Sequence, residues 1–250
     1  DYLPKSGAAE TATIKIDPLG QVTVGLSSTP QGQGHETIVA QIVAEELELS
    51  PDDVTVIDEC DTAKNIWSIS SGTYSSRFAS VGTSAVANAA KTLREKIFRI
   101  AAHLLKVDVE DVVFEDRRFY ARETPTQSIK LSHVAGTAHW NPNGLPEGME
   151  VGLNVTETFS FPLAHAPDQK DRVNSSNTYG FMVDLMAVDI DPDTGQVKIL
   201  KYASVHDAGT IIHPKILEGQ IYGGAMHGIA GALFEQQLYD DEGQCLTATL

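Results

Sequence analysis

From Thr83 to about Lys106 the sequence places Val86, Ala90, Leu93, Ile97, Ile100, Ala101, Leu104 and Leu105 along one helical stripe. A helix with a single apolar flank needs other segments of the chain to cover it. Upstream, "TATIKID" and "QVTVGLS" alternate apolar and polar residues about Asp17-Pro18-Leu19-Gly20, which predicts a hairpin. From about His35 to Leu49 the residues Ile38, Val39, Ile42, Val43 and Leu47 share one face, so a second helix is expected, ended by Ser50-Pro51. "DVTVID" reads as a strand, and "NIWSISSGTYSSRFASVG" as a loop without period. After the long helix, "DVVFEDRRFYARE" predicts a short hairpin turning near Asp116-Arg117, and "SIKLSHVAGTA" a short helix. "HWNPNGLPEG" reads as a loop and "MEVGLNVTETFSFP" as a strand. "YGFMVDLMAVDID" and "GQVKILKYASVHDAG" make a second strong hairpin about Asp191-Pro192-Asp193-Thr194-Gly195, and "PKILEGQIYGGAMHGIAGALFEQ" a last helix. Strands and helices mix without regular βαβ alternation, so the expected class is α+β, over residues 1–250 with no internal boundary.

The formal net charge of −16 argues against DNA or RNA as a partner, since nucleic acid calls for a basic face. It does not oppose a small anion held by local backbone dipoles. No apolar run approaches the ~18 residues that a membrane helix needs, so no membrane insertion is expected. Cys60 and Cys245 are too few for a disulfide framework, and "DYLPKSGAAE" carries no basic and then apolar leader, so a reducing cytoplasm is expected. The chain opens directly into a strand pattern and stops in the strand-like "GQCLTATL", which reads as a segment of a larger chain or one piece of a divided subunit.

Three polar loops stand ahead of helices. In "TPQGQGHETIVAQIVAEEL", Gln31 to His35 put two glycines at a helix start, where free N–H groups and the helix dipole suit an anion. A dinucleotide fingerprint would want glycine where Thr37 stands, and a plain glycine turn explains the spacing equally well. In "SGTYSSRFASVG", hydroxyls and Arg77 precede the long helix; this is either an anion cradle, since arginine offers phosphate a bidentate fork, or a solvated Ser-rich loop. In "HDAGTIIHPKILEGQIYGG", Pro214 suits a first helical turn, and the five glycines 219, 223, 224, 228 and 231 of the helix that follows suggest close approach of another backbone. On that reading Gly224→Leu would overpack a tight contact. No HExxH or GxSxG pattern is present, and pairs such as Glu45-Glu46 read as solvated surface.

Taken together, "QGQGHETIVAQIVAEEL", "SGTYSSR", "RIAAHLLKV", "VDIDPDTGQVKI" and "DAGTIIHPKILEGQIYGG" resemble the molybdenum-cofactor-binding large subunit of the xanthine dehydrogenase and aldehyde oxidase family, in its order and spacing. The nearest flavour is that of the carbon monoxide dehydrogenase-like hydroxylases. The resemblance implies the second half of a molybdopterin-binding domain. It implies molybdenum–molybdopterin in a cytosine dinucleotide form, with Gly32, Gln33, Gly34 and His35 against the pterin and its phosphate. Thr73, Tyr74, Ser75, Ser76 and Arg77 would surround the pterin and pyrophosphate, Asp207 and Thr210 would join the nucleotide pocket, and Gln220 would touch the pterin again.

It further implies oxidation of a small organic substrate or carbon monoxide with water as the oxygen source. Partners would be the remaining half of the molybdenum subunit, an iron–sulfur subunit and a flavin (FAD) subunit, in an oligomer. The resemblance assigns no catalytic residue and no protein metal ligand to these 250 residues, so this chain alone is expected to be inactive. Phe78-Ala79 replaces the family's Ser-Thr, and His227-Gly228 its Gln-Gly, which leaves room for a non-catalytic scaffold or assembly module without the cofactor. Gln33 and Arg77 are both expected on polar loops, where substitution shifts stability by less than ~0.5 kcal/mol.

Overall fold

The computed structural model describes residues 9–59, 73, 76–162, 167–172 and 178–247. They form two compact units, Asp1–Thr178 and Tyr179–Leu250.

In the first unit the expected hairpin is β1 (Ala9–Ile16) and β2 (Val22–Leu26), paired with Ile14 opposite Val24. Its alternating pattern sends Ala12, Ile14, Ile16, Val22, Val24 and Leu26 into the core. After β2 come α1 (His35–Leu47) and β3 (Val54–Ile57), and β3 returns parallel to β2 with Val24 opposite Val56. That makes one βαβ crossover in a chain whose element order otherwise lacks them. The turn entering α1 therefore lies just past the C-terminal end of β2.

The long helix α2 (Thr83–Leu105) crosses β1 and a later strand, β7 (Leu153–Ser160), beside α1. Its stripe is buried at Val86, Ala90, Leu93, Ile97, Ile100 and Ala101, while Leu104 and Leu105 at the end are only partly covered. The sheet order is β3-β2-β1-β7, with helices on the apolar face. A smaller sheet of β4 (Val112–Glu115), β5 (Arg118–Ala121) and β6 (Thr124–Lys130) closes the far end of α2. There Phe119 lies 4.3 Å from Phe114 and 5.5 Å from Phe98 between ring centroids. Asp116 and Arg117 take φ of 48° and 59°, the left-handed pair that a two-residue hairpin turn needs. The helix α3 (Leu131–Trp140) follows.

Three local readings change. Ser128–Lys130 finish β6 and do not start the helix; "TPTQSIK" is mostly exposed, so pairing with β5 decides its state and apolar period does not. A short 3₁₀ turn, Pro142–Gly144, interrupts the loop after α3. Phe78–Gly82, read as loop, is a π turn running into α2, in which the Thr83 N–H donates to the Phe78 carbonyl.

The second unit holds the hairpin of β8 (Phe181–Ile190) and β9 (Val197–Asp207), with Leu185 opposite Ala203, and the helix α4 (Pro214–Phe234). The Asp191 carboxylate accepts from the Asp193 N–H at 2.9 Å, and Gly195 takes φ of 71° to close the turn. Pro214 begins α4 as expected, and the His213 ring nitrogen Nδ1 caps it by accepting from the Ile216 N–H at 3.2 Å. The glycines of α4 correct the packing expectation. Among the described residues nothing stands within 4 Å of a Cβ built at Gly219, Gly223, Gly224, Gly228 or Gly231, so Gly224→Leu meets no tight neighbour in this unit.

Candidate functional site

The turn between β2 and α1 is held open by two left-handed glycines, Gly32 with φ of 92° and Gly34 with φ of 78°. Any side chain at Gly32 would have space but a strained backbone. Gly34 is the N-cap of α1 and offers no side-chain oxygen, so the first-turn N–H groups of the helix have no side-chain cap. Gln33, half-buried, accepts from the Gln31 N–H at 2.5 Å through Oε1, which leaves its amide nitrogen as the group able to donate. The Thr73 hydroxyl reaches the Gln31 Oε1 at 3.4 Å, so the glycine turn and the loop before α2 meet. Ser76, exposed, takes a left-handed φ of 51° just before the π turn. Tyr74 and Ser75 lie outside the described residues.

Arg77 is not on a polar surface. Its side chain is 3% exposed, and Nη1 donates to Glu10 Oε2 at 2.6 Å, itself 1% exposed. Nη2 donates to the Ala9 carbonyl at 2.6 Å, and the Ser27 hydroxyl donates to the other Glu10 oxygen. The guanidinium charge is thus matched inside the fold by a carboxylate from the start of β1. The physical reason is burial: a charge taken from water this far is held only by a partner and full hydrogen bonding.

His35, the first residue of α1, is 2% exposed and points inward. Its ring stacks on Phe78 at 3.6 Å between centroids and 13° between planes. Nδ1 has no hydrogen-bond partner among the described residues. Burial pushes the imidazole from 6.5 down to about 4, against the Glu10 and Asp58 carboxylates, which pull it up. The unfolded chain takes up this proton near 6.5 and the folded chain only near 4, so the stabilisation is complete above 6.5 and lost as pH falls through that window. An NMR titration of the His35 ring is expected to show a midpoint at about 4, well below the usual 6.5, with stability against unfolding falling as pH drops from 6.5 to about 4. A ring titrating near 6.5 in the folded protein would remove the buried placement.

The remaining expected residues sit in the second unit. Asp207 closes its own turn by accepting from the Gly209 N–H at 3.1 Å, and Thr210 is exposed beside it. Gln220, exposed on α4, lines a groove of about 650 Å³ between that helix and the β8–β9 ribbon. A polar cluster unanticipated from the sequence stands on the ribbon. Asp184 accepts from the Tyr202 hydroxyl at 2.9 Å and from the Ser204 hydroxyl, and Ser204 Oγ lies 2.6 Å from His206 Nε2. Those two bonds, Ser204 first, hold the Asp184 carboxyl below its usual range. Ser204 gives its proton to a carboxylate here, so the arrangement does not activate it as a nucleophile. Alternation was the available signal, because 202, 204 and 206 share one face of β9 with Asp184 in register with Ser204.

A sequence profile of the family described as "Molybdopterin cofactor-binding domain" matches residues 2–250. The chain is 34% identical over 244 residues to the carbon monoxide dehydrogenase large chain of Hydrogenophaga pseudoflava, covering 98% of this chain and 28% of that one. It is 35% identical over 240 residues to the nicotine 6-hydroxylase large subunit of Paenarthrobacter nicotinovorans, covering 96% and 28%. Among solved structures it is similar to reconstituted CO dehydrogenase from Oligotropha carboxidovorans, with a TM-score of 0.79, 32% identity, 96% of this chain and 28% of that chain covered. The chain thus spans little more than a quarter of the relatives it matches. Among the described residues no helix is long and apolar enough to cross a membrane.

Proposed function

The chain belongs to the molybdopterin cofactor-binding domain family, and from that premise we propose that the glycine turn of its first unit seats the pterin and phosphate end of a molybdenum–molybdopterin cofactor. The observation that carries this reading is the uncapped start of α1 behind a left-handed glycine turn. Such a terminus turns main-chain N–H groups and a positive dipole end toward an anion, with Glu36 the acidic residue of its first turn. The orphaned His35 Nδ1 beneath the turn fits the same reading, as a buried polar atom that the described residues do not satisfy.

Gly32 and Gly34 keep the backbone close to the ligand, the Gln33 amide donates to it, and the N–H of His35 faces its phosphate. Thr73 and Ser76 supply hydroxyls from the second loop, and Arg77 holds that loop in place from within. Asp207, Thr210 and Gln220 serve the nucleotide and pterin from the second unit, the cofactor being the cytosine dinucleotide form. When bound, the cofactor supplies two-electron redox chemistry, and the chain's share is binding and orientation.

The whole protein is then an oxidoreductase of the xanthine dehydrogenase type. It oxidises a small organic substrate or carbon monoxide with water as oxygen source and passes electrons to iron–sulfur and flavin partner subunits. The names of the relatives, a large chain and a large subunit, support a multi-subunit setting. One observation favours the rival reading of a scaffold without cofactor: the Arg77 charge is used inside the fold. Molybdenum and cytidine nucleotide analysis of the full native assembly separates the two. In that assembly Gln33→Ala is expected to lower molybdenum content with a stability change under ~0.5 kcal/mol, because among the described residues the Gln33 side chain bonds within its own turn. Undiminished molybdenum in the variant would sink the turn as the seat.

A further inference from the structure

Among the described residues a long hydrogen bond, Thr73 to Gln31 at 3.4 Å, links the two loops at the surface. Beneath it the link is aromatic. Phe78, the first residue of the π turn, is buried face to face on His35, the first residue of α1. On its other side the Phe78 ring fills the place of a side chain at residue 82: a Cβ built on Gly82 would fall within the van der Waals surface of the ring, nearest its Cδ2. The ring is therefore wedged between the start of one helix and the backbone of the turn that begins the other. The start of α1 needs such a support, since Gly34 gives it no cap. A flat ring suits the task because a parallel stack fixes the tilt of its partner as well as its distance.

We propose that Phe78 is the positioning residue of this site: through its stack on His35, and with the room that Gly82 leaves, it fixes the Gln31–Gly34 turn relative to the π turn that begins α2. The inference rests on the reading of that turn as the cofactor's seat, but the positioning itself can be measured without cofactor.

The test uses the full protein with its partner subunits and two readouts, amide hydrogen exchange over residues 31–37 and molybdenum per polypeptide. Phe78→Leu keeps an apolar group but loses the flat face, and Phe78→Tyr keeps the face. Gly82→Ala displaces the ring without removing it. Phe119→Leu is the control, an equally buried phenyl in β5 that touches Phe98 and Phe114 and not the turn. Phe78→Leu and Gly82→Ala are expected to speed exchange across the turn by about tenfold, as local opening becomes easier. Both should also lower retained molybdenum, while Phe78→Tyr restores both values and Phe119→Leu moves neither. Unchanged exchange at the turn in Phe78→Leu and Gly82→Ala overturns the proposal, as does an equal effect of Phe119→Leu. If the parent assembly carries no molybdenum, the reading of the site falls, and the exchange arm still decides the positioning role by these same outcomes.

Discussion

Replacing Arg77 by alanine is expected to destabilise the fold by about 3–5 kcal/mol, the cost of leaving one member of a buried ion pair without its partner. The stranded group is the Glu10 carboxylate, 1% exposed, which would keep the Ser27 hydroxyl as its donor. The Ala9 carbonyl loses its donor as well. At the scale usual for a domain of this size, that corresponds to a fall in melting temperature of roughly 6–20 °C. The double variant Arg77→Met with Glu10→Leu should recover much of the loss, because replacing both charges with apolar groups removes the desolvation penalty together with the attraction. The coupling energy from that cycle is the quantity to measure, in denaturant melts of all four proteins. A loss below ~0.5 kcal/mol for Arg77→Ala would place the guanidinium at the surface and return it to the role of a direct phosphate ligand.

Arg77 marks where the sequence stopped being legible. It stands in "SGTYSSRFASVG", a stretch rich in serine and glycine that reads as a solvated loop, and its partner Glu10 is 67 residues away. Ion pairs across that separation leave no periodic trace. The stripe of α2 was readable because each buried position repeats at the helical period, and the β1–β2 hairpin because its turn residues sit between two alternating runs. The π turn was not, since the meaning of Gly82 depends on a ring four residues earlier lying where its Cβ would be. The glycine turn at Gly32 and Gly34 was visible as spacing. Its purpose was not, because a plain turn and an anion seat use the same residues; the uncapped start of α1 is what supports the seat proposed above. The glycines of α4 mislead in the opposite direction, as a helix rich in glycine suggests a close neighbour that the second unit does not provide.

The isolated 250-residue chain is expected to self-associate, through the second unit. Strand β8 carries apolar side chains on both faces. Met182 and Met186 line the groove beneath α4, while Phe181 and Leu185 on the opposite face are 71% and 65% exposed. On that outer face Val183 lies opposite Val205, which is 69% exposed, so the patch runs across both strands. Strands that are apolar on both faces belong inside a protein, and a two-stranded ribbon by itself is marginal in water. A contiguous apolar patch of this kind marks an interface. The −16 net charge opposes association at long range, so association should strengthen as salt screens it. Sedimentation velocity across protein and salt concentration measures this directly. Val183→Lys with Leu185→Lys should reduce association even though the two lysines lower the magnitude of the net charge, which makes the patch, and not general repulsion, the cause. A parent chain that stays monomeric at every concentration and at high salt would remove the interface, and with it the expectation that further segments of the large subunit cover this ribbon.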